Sequence, residues 1–169
     1  MVDLELFAVY GMEMRYPNNW RVEIRSKSNK EKGDVIFTSL KGERIFASWG
    51  PLAMVTKRFP VLEKHADHSF DNIKKMQNVK SLEFTARKRV LINGHSAVFT
   101  RAKVSLAQRM MVRKFYTERD VQSIHLHCEN SNRYFVIYNP VDDTEIRPED
   151  RSGVDLSDIG TNTFKCHNV

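Results

Sequence analysis

Cysteine is scarce in this chain of 169 residues, which has only Cys128 and Cys166, and glycine (7) and proline (5) are sparse too. Two cysteines are too few for the disulfide framework of a small secreted domain. Low glycine and proline exclude a collagen-like repeat and a low-complexity linker. No apolar run approaches the roughly 18–20 residues that span a bilayer as a helix. The opening MVDLELFAVYG has no basic start, long apolar stretch or small-residue cleavage site, so no secretory leader is expected and the expected location is cytoplasmic. No GxSxG elbow, P-loop or dinucleotide-binding glycine pattern occurs. What remains is an ordinary globular balance: 41% hydrophobic residues, 28% charged residues and a net charge of +6. The length suits one domain, taken as 1–169. From Asn139 onward seven acidic residues face three basic ones, so the preceding body carries the positive excess.

Two-residue alternation dominates. Leu4, Leu6 and Ala8 suggest an opening strand, and Met12, Met14 and Tyr16 a half-buried second one. Pro17-Asn18-Asn19 marks a turn before the alternation of Trp20, Val22 and Ile24. Asp34–Leu40 and Arg44–Trp49 read as further strands. After Pro60 the period changes: Leu62, Ala66, Phe70, Ile73 and Met76 form one helical stripe. Leu82, Phe84, Ala86, Val90 and Ile92 then share one strand face. Asn93-Gly94 predicts a two-residue type I′ turn, pairing Ile92 with His95 and Val90 with Ala97. A second hairpin, Arg109–Glu118 with Val121–Glu129, is predicted to turn near Arg119-Asp120. Arg133–Tyr138 is the last clear strand, and Leu156, Ile159 and Phe164 suit a short closing helix. About nine strands in hairpin connections, with one long and one short helix, predict an α+β fold built on an antiparallel sheet.

The segment Tyr10-Gly11-Met12-Glu13-Met14-Arg15-Tyr16-Pro17-Asn18-Asn19-Trp20 resembles the signature of the PsbP-like family: glycine and a large apolar residue, a short strand to Tyr-Pro, a polar turn, then Trp. The order of early hairpins, helix, meander and a final helix near Thr163-Phe164 is similar too. The resemblance implies an α/β/α sandwich. It also implies a non-catalytic binding or accessory role, with another protein as partner. The family includes an extrinsic subunit of the oxygen-evolving photosystem and a Ran-binding nuclear import factor. Its shared motifs are packing motifs and mark no catalytic residue.

Groups able to carry chemistry are few. On a strand, His125 and His127 point one way while Leu126 and Cys128 point the other, so Cys128 belongs with the apolar set. Cys166 lies two residues past Phe164, near the core. Cys128 and Cys166 are therefore a candidate thiol pair with three readings: two reduced buried cysteines, a disulfide tying the tail to the sheet, or a soft metal held by both thiolates and His167 without a named fourth ligand; a small metal- or redox-dependent enzyme centred on Cys128, Cys166 and His167 is a further functional alternative. His125 with His127, and His65 with His68 on the helix, read as solvated surface pairs; HExxH is absent. Arg87 and Arg89 share a face and are the candidate basic patch, with Lys88, Arg101, Lys103, Arg109, Arg113 and Lys114 elsewhere in the meander. Aromatic platforms beside the patch are sparse, so nucleic acid or another polyanion is the alternative partner and not the leading one. Asp142-Asp143 and Glu149-Asp150 read as solvated loop charges. Trp20, Trp49, Met110 and Met111 are assigned to the core. No catalytic residue, cofactor or metal follows from the leading reading.

Overall fold

Pairing by hairpins produces the architecture. The computed structural model describes residues 2–140 and 155–168. The acidic pairs Asp142-Asp143 and Glu149-Asp150 lie outside them. Strands β1 (Leu4–Val9) and β2 (Met12–Pro17) form a separate two-stranded hairpin. Its turn is Tyr10-Gly11, both at positive φ. The main sheet contains β3 (Arg21–Ile24), β4 (Gly33–Thr38), β5 (Arg44–Pro51), β6 (Val79–Ile92), β7 (His95–Met110), β8 (Arg113–Cys128) and β9 (Arg133–Tyr138). Their order is β3-β4-β5-β9-β8-β7-β6, antiparallel at each pairing. Helices α1 (Leu52–Thr56) and α2 (Leu62–Lys74) connect β5 to β6, and a π-helical turn occupies Ser157–Thr161. The fold is α+β, as the alternation predicts.

The sheet has an apolar layer on each side. One face carries Val35, Phe37, Trp49, Phe99, Ile124, Leu126, Phe135 and Ile137. It is closed by Phe7, Met12 and Met14 of the hairpin and by Leu156, Ile159 and Phe164 from the C-terminal segment. That segment is clipped to β2 by two backbone bonds: Glu13 N–H donates to the Lys165 carbonyl at 2.9 Å, and Lys165 N–H returns the bond at 2.8 Å. The outer layer on this side is thus a hairpin and a single helical turn. The other face is covered by α2. Leu62 and Ala66 meet Val98, and Phe70 meets Ala102, Val104, Leu106 and Val121.

Four local readings need correction. In β1 it is Phe7 that turns inward, while Leu4 and Leu6 are exposed. In β6 the pairing shifts between Phe84 and Ala86, leaving Thr85 as an extra residue. This bulge reverses the faces. Leu82 and Phe84 lie under α2, whereas Ala86, Val90 and Ile92 join the opposite core. The Asn93-Gly94 turn forms with both residues at positive φ and the predicted Ile92–His95 pair. The following hairpin, however, turns at Met111-Val112; Arg119 and Asp120 lie mid-strand opposite Val104 and Lys103. Met110 and Met111 are accordingly exposed rather than buried.

Phe70 is the largest side chain that α2 buries. Phe70→Ala removes that ring and leaves a cavity over β7 and β8, and is expected to lower unfolding free energy by about 3–5 kcal/mol in urea titration.

Candidate metal centre

Three turns and tails meet at one end of the sheet. His95 opens β7 immediately after the Asn93-Gly94 turn. Cys128 closes β8 just before the turn into β9. Ala97 and Leu126 are cross-strand partners, and His95 and Cys128 lie two residues beyond them on either strand, on the same face. The C-terminal segment, positioned by the Glu13–Lys165 bridge, brings Cys166 and His167 to the same point.

One ligand atom from each of His95, Cys128, Cys166 and His167 lies within 4.8 Å of all the others. Cys128 Sγ is 3.6 Å from His95 Nε2 and 3.4 Å from His167 Nδ1, and Cys166 Sγ is 3.2 Å from His167 Nδ1. Zinc–sulfur bonds of about 2.3 Å and zinc–nitrogen bonds of about 2.0–2.1 Å put neighbouring tetrahedral ligands roughly 3.4–3.8 Å apart. The three distances of 3.2–3.6 Å lie near that edge, and the remaining ones are within 4.8 Å. Both cysteines are free thiols and fully buried. Burial first, and the neighbouring Cys128 second, push the Cys166 thiol up to about 12. Burial also lowers His95, with His167 adding to the effect, so its imidazole is neutral and has a lone pair to donate.

Burial keeps the Cys166 thiol protonated, and N–H donors that reach both sulfur atoms oppose it only in part. Asn93 Nδ2 donates to Cys166 Sγ at 3.6 Å and to the His167 carbonyl at 3.3 Å. Ser131 N–H donates to Cys128 Sγ at 3.4 Å. Arg133, buried at the start of β9, donates from Nη2 to the Cys166 carbonyl at 3.2 Å and from Nη1 to the Lys30 carbonyl at 3.1 Å. Burial lowers the guanidinium's pKa, and the two thiols oppose that effect. The sequence marks the cysteine pair and His167; it misses His95. The missing signal is the β7–β8 register: a turn at Met111-Val112 puts His95 opposite Cys128, and a turn at Arg119-Asp120 does not.

His65, His125 and His127 meet on the opposite side of the sheet, as strand alternation requires, and are not solvated, while His68 stays at the surface beside Phe59 and Asn72. His125 is completely buried, with Ser69 Oγ at 2.9 Å from Nε2 and Ser123 Oγ at 3.4 Å from Nδ1. His65 Nδ1 lies 3.1 Å from His127 Nε2, and Phe59 stacks on the His65 ring. Their ligand atoms do not converge as those of the thiol centre do; among the described residues that centre alone meets the distance test. Their burial comes from α2 lying over β8, which strand alternation does not encode. The candidate patch is also taken up by α2. Arg87 Nη2 pairs with Asp67 at 2.5 Å, and Arg89 forms a two-pronged pair with Glu63 at 2.6 and 2.7 Å.

Burial drives His65 down to about 4, with His127 and His68 contributing, and holds His125 well below its ordinary value with help from His65, His127 and Arg87. Both rings are neutral in the folded protein and take up protons near pH 6.5 once unfolded. The unfolded chain therefore binds more protons between about 6.5 and 4, and stability is lost as pH falls through that window. The melting temperature is expected to be flat above pH 7 and to drop steadily from pH 6.5 to 4. His65→Phe, which keeps a ring against Phe59 and Tyr134, is expected to shallow the slope.

No protein-family model matches this sequence, and no curated protein matches it. Among solved structures the chain is similar to the solution structure of cyanobacterial PsbP (CyanoP) from Synechocystis sp. PCC 6803, with 14% sequence identity, 85% of this chain and 81% of that chain covered, and a TM-score of 0.47. The likeness is one of fold alone.

Proposed function

We propose that this chain is a non-catalytic binding module whose functional centre is a structural Zn²⁺ site formed by His95, Cys128, Cys166 and His167. The convergence of these four ligand atoms within 4.8 Å carries the reading. Four protein ligands complete a tetrahedral shell and leave no position for water or substrate, which is the pattern of a structural rather than a catalytic zinc. Two thiolates balance a divalent ion and imidazole ligates as the neutral ring, so the filled site carries no net charge. Thiolate and imidazole together select zinc over magnesium or calcium. The centre requires both thiols reduced, a condition that the cytoplasm maintains. An accessory role suits such a site: the ion fixes the tail to the sheet and shapes a surface, and nothing is converted.

Protein purified without chelator is expected to contain one zinc per chain by elemental analysis. Cobalt substitution is expected to give tetrahedral visible bands and thiolate-to-cobalt charge transfer. Cys128→Ser and His95→Ala should each abolish stoichiometric binding. Metal at a thousandfold above Kd should stabilise the fold by about 4 kcal/mol. His95→Ala separates this reading from a Cys128–Cys166 disulfide, which would survive the substitution. Metal-free protein with wild-type stability, or a quantitative disulfide in the freshly isolated protein, overturns the proposal.

A further inference from the structure

Strands β7 and β8 outrun their neighbours. Pairing of β6 with β7 ends at Val79–Leu106, and pairing of β9 with β8 ends at Ser123–Tyr138. Ala107 N–H still donates to the Asn78 carbonyl, and the pairs from Gln108–Phe115 to Met110–Arg113 continue alone. Three pairs at about 3.4 Å each make an arm that projects about 10 Å beyond the sheet. At its tip Met110, Met111 and Val112 are 69%, 93% and 93% exposed.

Turn chemistry does not explain these residues. Met111 adopts a φ of 55°, a conformation that favours Asn or Gly, and Val112 is β-branched. The neighbouring turn of the same sheet uses Asn93-Gly94. An exposed run of three apolar side chains at a protrusion breaks the local rule and marks a contact with something outside the chain. The residues around it identify that contact. Arg109, Arg113 and Lys114 flank the tip and are exposed, and the arm from 108 to 115 contains no acidic residue. Tyr116, 63% exposed, and Phe115 stand just behind. An apolar tip backed by cations and aromatic rings matches a lipid interface: hydrocarbon first, then the headgroup level where phosphates and amphipathic rings both sit. A nucleic acid would present bases for stacking, and the foremost side chains here are aliphatic.

We propose that the β7–β8 arm is a membrane-docking element that sets Met110, Met111 and Val112 into the surface of an anionic phospholipid bilayer, with Arg109, Arg113 and Lys114 on the phosphates. The proposal is independent of the metal centre, which lies at the opposite end of β7 and β8.

The test is flotation with large vesicles of phosphatidylcholine, alone or mixed with phosphatidylglycerol. The full chain is expected to float with the mixed vesicles at low salt and to be released by high salt. The triple substitution R109A/R113A/K114A should weaken partitioning about 100-fold, roughly fivefold for each basic residue. M111D/V112D should abolish it while leaving far-UV circular dichroism unchanged, because the tip lies outside both apolar layers. M111W should show a blue shift in emission on adding mixed vesicles. Failure of the wild type to float, equal flotation of M111D/V112D, or arm-dependent binding to a single-stranded oligonucleotide or an acidic protein without vesicle binding overturns the proposal.

Discussion

Ala97 and Leu126 face each other across β7 and β8, and the register they mark decides where the chemistry of this protein lies. Counting two residues outward along both strands brings His95 and Cys128 together. Counting the other way reaches Met110 and Arg113 at the exposed tip. A slip of one residue would turn Cys128 toward α2 and His127 toward the opposite core, destroying both arrangements at once. Ala97, Ile124 and Leu126, all buried, resist such a slip because it would move an apolar row into a polar one.

The C-terminal segment depends on this sheet for its place. Phe164 sits edge-on against Phe135 with ring centroids 5.0 Å apart, and Arg15 N–H donates to Thr163 Oγ1 at 3.0 Å. With the Glu13–Lys165 bridge, these contacts leave Cys166 and His167 little freedom. Arg133 completes the arrangement. Its guanidinium lies over the Phe135 ring, and among the described residues no carboxylate pairs with it. A buried cation of this kind is costly, and the carbonyls of Lys30 and Cys166 that accept from its guanidinium offset part of that cost.

Much of the fold could be read from the chain because it rests on period and turn chemistry. The α2 stripe and the Asn93-Gly94 hairpin are local signals, and each formed where the residues put it. The errors in β6 and in the β7–β8 hairpin share one origin. The Thr85 bulge and the Met111-Val112 turn are backbone choices that no residue type announces: threonine sits comfortably in any strand, and a Met-Val turn resembles strand interior. Both displaced what followed. The wrong turn hid the partnership of His95 with Cys128. For the same reason Met111 was assigned to the core, since its side chain is apolar and its exposure follows only from the overhang. His125 looked like surface because alternation says which side a residue faces and nothing about what will cover that side.

The four ligand positions are spread widely along the chain, and two of them, Cys166 and His167, follow the last strand of the sheet. All nine described strands are synthesised before that pair. On the proposed zinc reading, an ion would join the tail to a sheet whose strands all precede it in synthesis, whereas in small zinc fingers the fold itself waits for the ion.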